Sequence, residues 1–205
     1  MVKRIKTVGM KNSIEELKES LMSLGYELYS EQERNRLYRM SGVRVSRKMV
    51  LAKITDSIIF FAFDSYGSQA NASTTASGLI APLQSEKEID FKVYRKNRLL
   101  DLFVRRKQRV GIRHIDQKLT IRSKYPISPK MFSISMVDAF EELSGREGRI
   151  ILEGGQSINH LFGGLVEGKS LAIKANYWIY KKDDVERMVR LGTKIIDEIS
   201  TGVNQ

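Results

Sequence analysis

Gly163-Gly164-Leu165-Val166-Glu167-Gly168-Lys169-Ser170 satisfies the pattern of a phosphate-binding loop letter for letter. In such a loop the glycine amides and the N-terminus of a following helix converge on phosphates, so a buried strand must lead in and a helix must follow. Here Leu171-Ala172-Ile173-Lys174-Ala175-Asn176-Tyr177-Trp178-Ile179-Tyr180 is rich in β-branched and aromatic residues with an alternating apolar face, which reads as a strand. Residues 156–162 do not read as a buried strand. A glycine-rich turn feeding a strand is the main reading. A nucleotide-dependent enzyme built on Gly163, Gly168, Lys169 and Ser170 is kept as an alternative.

The remaining reactive residues have no evident partners. His114 lies two residues before Asp116, and His160 sits beside the glycine-rich segment. Either has the chemistry of a general base or a single metal ligand, but no further ligands or triad members follow from spacing. The absence of cysteine excludes disulfides, a thiolate nucleophile and thiolate metal centres. Asp183-Asp184 and Glu141-Glu142 fall at the start and near the end of expected helices, where capping or solvation accounts for them. Asn71-Ala72-Ser73 matches a glycosylation pattern but reads as a loop tripeptide. No catalytic residue, metal or cofactor is assigned.

Charge is the feature that stands out. The chain has 205 residues and a formal net charge of +11. Residues 92–124 carry twelve Lys/Arg against two Asp/Glu, whereas residues 125–205 carry ten against eleven. The excess therefore resides in Lys92, Arg95, Lys96, Arg98, Arg105, Arg106, Lys107, Arg109, Arg113, Lys118, Arg122 and Lys124, with Tyr94 as the best stacking candidate. Arranged on neighbouring strands, alternate side chains from this segment reach one solvent face and meet phosphates.

The elements that must position these residues follow from periodicity. Ser13 and Glu16 form a capping box ahead of Ile14, Leu17, Leu21 and Leu24, and Gly25 supplies the stop. Ser128-Pro129 opens a second helix through Phe132, Met136, Phe140 and Leu143 to Gly145. Asp183-Asp184 opens a third, with Val185, Met188, Val189, Ile195, Ile196 and Ile199 inside and the pairs Asp183–Arg187 and Glu186–Arg190 outside.

Strands are expected at residues 57–63, apolar on both faces, around Ile89, Phe91 and Val93, around Val110 and Ile112, around Leu119 and Ile121, and at residues 149–153 and 171–180. One or two more fall within residues 37–54, and residues 30–40 suit either a strand or a short helix. Ile115-Asp116-Gln117 reads as a hairpin turn, and the small, polar residues 68–78 as a loop or weak edge strand.

Consecutive strands with few intervening helices predict a single α+β domain over residues 1–205, a mainly antiparallel sheet with about three helices on one face. The apolar and charged fractions, 41% and 29%, are those of an ordinary globular chain. With no long apolar run and no secretory pattern, a cytoplasmic location is expected. The leading functional expectation is a non-catalytic domain that engages a polyanion, nucleic acid first, with weak sequence preference. The alternative is attachment to an anionic membrane surface or an acidic protein, through Leu99, Leu100, Leu102 and Phe103 bracketed by cations. Nothing in the sequence sets the oligomeric state.

Overall fold

Alternating side chains in successive segments sort onto two faces of one antiparallel sheet, which gives the chain its α+β class. The computed structural model describes residues 8–38, 43–67, 72–97, 106–145, 150–155, 166 and 168–203. Among them are nine strands: β1 Glu27–Tyr38, β2 Val43–Lys53, β3 Ile59–Gly67, β4 Ala72–Pro82, β5 Phe91–Arg95, β6 Lys107–Gln108, β7 Leu119–Ser123, β8 Ile150–Gly155 and β9 Ser170–Ala175. Their order is β1-β2-β3-β4-β9-β8-β5-β7-β6, and every neighbouring pair is antiparallel. Four described α-helices accompany them: α1 Val8–Ser23, α2 Arg113–Lys118, α3 Ile134–Ser144 and α4 Lys182–Val203. No described helix is long and apolar enough to cross a membrane.

One face carries the main core. Leu28, Ala52, Phe60, Leu79, Ile173, Leu152, Val93 and Ile121 are successive cross-strand partners. Leu17 and Leu21 of α1, Met136 and Phe140 of α3, and Met188, Ile195 and Ile199 of α4 pack in the same cluster. Burying each of the larger side chains contributes about 1.5–3 kcal/mol, and this is what holds the helices to the sheet. The opposite face has a smaller apolar cluster at one end, where Val166 joins Leu51, Phe61, Phe63, Ile80 and Ala172. Strand β3 is thus buried on both sides, as its apolar run predicts.

Several elements differ from the sequence reading. Helix α1 begins at Val8, so Ser13 lies within it and does not cap its start. It ends as expected, with the Tyr26 N–H on the Leu21 carbonyl and the Gly25 N–H on the Met22 carbonyl, both at 3.0 Å. Ser128 caps only a 3-10 turn, Pro129–Met131; a second hydroxyl, Ser133, accepts the Met136 N–H at 2.9 Å and starts α3. Residues 30–38 are strand, part of β1. Strand β9 stops at Ala175 because the Ser77 hydroxyl donates to the Tyr177 carbonyl at 2.7 Å and accepts the Ile179 N–H at 2.9 Å, drawing the chain off the sheet.

Two differences are larger. The segment read as a loop or weak edge, residues 68–78, overlaps interior strand β4, which is paired on both sides. Its small residues serve close packing: a Cβ at Gly78 would lie 1.8 Å from the Ile173 carbonyl oxygen of β9. Residues 68–71 and Asn71 with them lie outside the described residues. The expected hairpin turn at residues 115–117 is instead helix α2, and Val110 and Ile112 are not in a strand. Asp116 causes this, because its carboxylate accepts the Val110 N–H at 2.9 Å and the Gly111 N–H at 3.1 Å while Gly111 takes φ +84°.

These two glycines separate steric from conformational cost. Gly78→Ala is expected to destabilise the fold by about 3 kcal/mol or more, and Gly111→Ala, which has open space around its Cβ, by about 1 kcal/mol, measured by urea denaturation. Equal effects would contradict the close approach of β4 and β9.

Candidate polyanion interface

The described cations of residues 92–124 sit at the β6 end of the sheet, and register decides which of them meet. On the face away from the helices, Ile80, Ala172, Glu153, Lys92, Arg122 and Lys107 form one cross-strand row through β4, β9, β8, β5, β7 and β6. The row changes from apolar to acidic to basic as it approaches the edge. Glu153 is the boundary: its side chain, 6% exposed, is held between the Lys92 ammonium at 3.1 Å and the Lys174 ammonium at 3.0 Å. Lys92 is therefore anchored rather than free to swing, with 38% of its side chain exposed.

Two clefts open at this edge. Asp90, Lys92, Arg106, Arg122, Ser123 and Lys124 line an outer one of about 360 Å³. Lys96, Lys107, Gln108, Arg109, Arg113, Asp116, Gln117 and Leu119 line a second of about 300 Å³ beside α2. Arg106 of the outer cleft and Lys107 of the second are consecutive in the chain. Arg106, Lys107, Arg109, Arg113, Arg122 and Lys124 are exposed. No ion pair to Arg106, Arg109, Arg113 or Arg122 occurs among the described residues. Lys124 lies 5.1 Å from the Tyr125 ring centroid, a cation–π distance. Arg106 has φ +60°, a left-handed conformation costing an L-residue about 1–2 kcal/mol, and its carbonyl accepts the Ser123 N–H at 3.3 Å.

Other predicted site residues serve the scaffold. Lys118 ends α2, where strand alternation does not apply, and reaches Asp138 at 2.8 Å and Glu141 at 2.7 Å on α3. Arg113 is likewise helical, so it joins the second cleft through α2 and not through a strand face. The Arg95 guanidinium donates to the Gly145 carbonyl, and Arg187 donates to the Glu142 and Leu143 carbonyls at 2.7 and 3.0 Å. Two arginines thus cap the carbonyl end of α3, where positive charge is favoured. Arg187 and Arg190 therefore turn toward α3, Arg190 pairing Glu142 at 3.1 Å, in place of the expected pairs along α4. Lys96 donates to the Asp116 carbonyl. Tyr94 is half-buried on the outer face, beside Lys92 in the alternation. Arg98 and Arg105 lie outside the described residues, as do Leu99, Leu100, Leu102 and Phe103.

The glycine-rich segment feeds β9 directly, as its sequence predicts. The Lys169 ammonium donates to the Ser85 and Lys87 carbonyls at 3.0 and 2.7 Å, tying down the chain after β4. Ser170 is fully buried, its hydroxyl 3.4 Å from the Gly155 carbonyl, and Gly168 has φ +76°. Gly163 and His160 are outside the described residues. His114 Nε2 is 3.3 Å from Asp138 Oδ1, and no described group of three or more acidic or histidine side chains is disposed to hold a metal.

Sequence reasoning missed Asp90 and Glu153 as parts of this surface. The alternation that sends Lys92 outward also places Asp90 beside it, but the Glu153 contact depends on β8 pairing, which period alone does not disclose. No protein-family model matches the chain, and no curated protein or solved structure does.

The Lys118 cluster has a defined pH response. Hydrogen bonds from Lys118 and then His114 lower the Asp138 pKa, and those to Asp138 and Glu141 raise that of Lys118. Asp138 therefore contributes stability that is present above the ordinary carboxylate range and is lost as pH falls through its lowered value. Asp138→Asn is expected to flatten this acid-side fall, read as the urea midpoint against pH; an unchanged slope would show that the contact carries no weight.

Proposed function

We propose that the protein is a non-catalytic polyanion-binding domain that engages nucleic acid with weak sequence preference through the β6 end of its sheet. The observation that carries this reading is the presence at one end of the sheet of two clefts, each lined by four cations, to which the consecutive residues Arg106 and Lys107 contribute one each. Each cleft holds one acid against its four cations, Asp90 in the outer and Asp116 in the second, and the Val110 and Gly111 N–H groups hold the Asp116 carboxylate in place. Exposed guanidinium and ammonium groups at strand spacing neutralise backbone phosphates and release condensed counterions. Phosphate contacts position a ligand without reading bases, which accounts for the weak sequence preference. A cytoplasmic location fits this role.

Binding of a mixed-sequence single strand should weaken with salt, with a slope of log K against log salt of about −3.5 to −4.2 for five or six phosphate contacts. Charge reversal at Lys107 and Arg122 together should weaken it at least about tenfold, whereas Lys118→Ala should change it less than about twofold. Fluorescence anisotropy measures both. Salt-independent binding, or an equal loss in the Lys118 variant, would overturn the assignment.

A further inference from the structure

The outer cleft contains an acid that a simple phosphate site does not need. Asp90 lines it together with Lys92, Arg106, Arg122, Lys124 and Ser123. Its backbone is fixed there, because its carbonyl accepts the Ser123 hydroxyl at 2.9 Å and the Lys124 N–H at 2.9 Å. Its carboxylate forms no ion pair and no hydrogen bond among the described residues, although four cations share the cleft. Its charge acts at longer range on Lys124, whose pKa it helps to raise, and a carboxylate without a contact partner at this place repels phosphate. What it adds is a hydrogen-bond acceptor, and a fully ionised phosphodiester offers it no donor.

A ribose does. The 2′-hydroxyl is the donor that distinguishes RNA from DNA within a chain. Arg106 keeps a large charged side chain at a left-handed position where glycine fits without strain, so the turn alone does not account for the residue type. Its planar guanidinium suits the paired oxygens of a phosphate. A cavity of about 360 Å³ lies in the range of small-ligand sites and has room for one sugar and its phosphate.

We propose that this cleft is a ribonucleotide subsite for single-stranded RNA: Arg106, Arg122 and Lys124 hold a phosphate, and Asp90 accepts a hydrogen bond from the 2′-hydroxyl of the same nucleotide. The inference rests on the polyanion reading above and narrows it to one class of nucleic acid.

The test compares short single strands of one mixed sequence as RNA, DNA and 2′-O-methyl RNA, by fluorescence anisotropy at low salt, on the full chain and its Asp90→Ala and Asp90→Asn variants. The wild type is expected to bind RNA about tenfold tighter than DNA, a ratio in keeping with one hydrogen bond to a charged group. The 2′-O-methyl strand, which keeps the oxygen but loses the donor, should behave like DNA. Asp90→Ala should abolish the preference while DNA binding holds or rises, and Asp90→Asn, which retains an acceptor oxygen, should keep part of it. Equal RNA and DNA binding by the wild type, or a preference that survives in Asp90→Ala, overturns the ribose assignment and leaves polyanion binding standing. Failure to bind either nucleic acid overturns both.

Discussion

Pairing of β4 with β9 joins an all-hairpin half, β1 to β4, to the half that carries the cations, and it depends on there being no side chain at Gly78. Hydrogen bonding across this junction makes Leu79 and Ile173 neighbours on the inner face and Ile80 and Ala172 neighbours on the outer one. Helix α4 can then lie over both halves, with Gly192 against Leu79 and Ile173. The same register sets the parity of every strand beyond it. A slip of one residue would turn Lys92 and Arg122 toward the core and Phe91 and Ile121 toward solvent.

The electrostatics of the basic segment divide along that parity. Cations on the inner side or at strand ends are absorbed by the scaffold: Lys118 by acids of α3, Arg95 by a helix carbonyl, Lys96 by the carbonyl of Asp116. Apart from Lys92, held by Glu153, those lining the outer face and the edge remain exposed: Arg106, Lys107, Arg109, Arg113, Arg122 and Lys124. Acids from outside the segment pair Lys118 and Lys92, so the +10 excess of residues 92–124 overstates the charge a ligand meets. Glu153 then marks where the basic surface stops, because beyond it the row continues through Ala172 and Ile80.

Fold class, the last helix and most strand positions were legible because apolar periodicity reports burial, and burial organises this sheet. What misled was residue size and local hydrogen bonding. The small residues of β4 resemble a loop until β9 and α4 are seen to press on them. Asp116 looks like a turn residue, and it does bond backbone amides, but in doing so it winds Arg113–Lys118 into a helix. The location of the basic segment was readable; the sorting of its members into scaffold and surface was not, because it depends on partners far away in sequence such as Asp138, Gly145 and Glu153.

Strand β6 is only two residues long. So brief a ladder gives another chain almost no backbone to pair with, and an identical edge approaching it would bring like charges together. The end of the sheet that is richest in cations is thereby protected from sheet extension and fibre growth. Among the described residues, contacts made there run mainly through side chains.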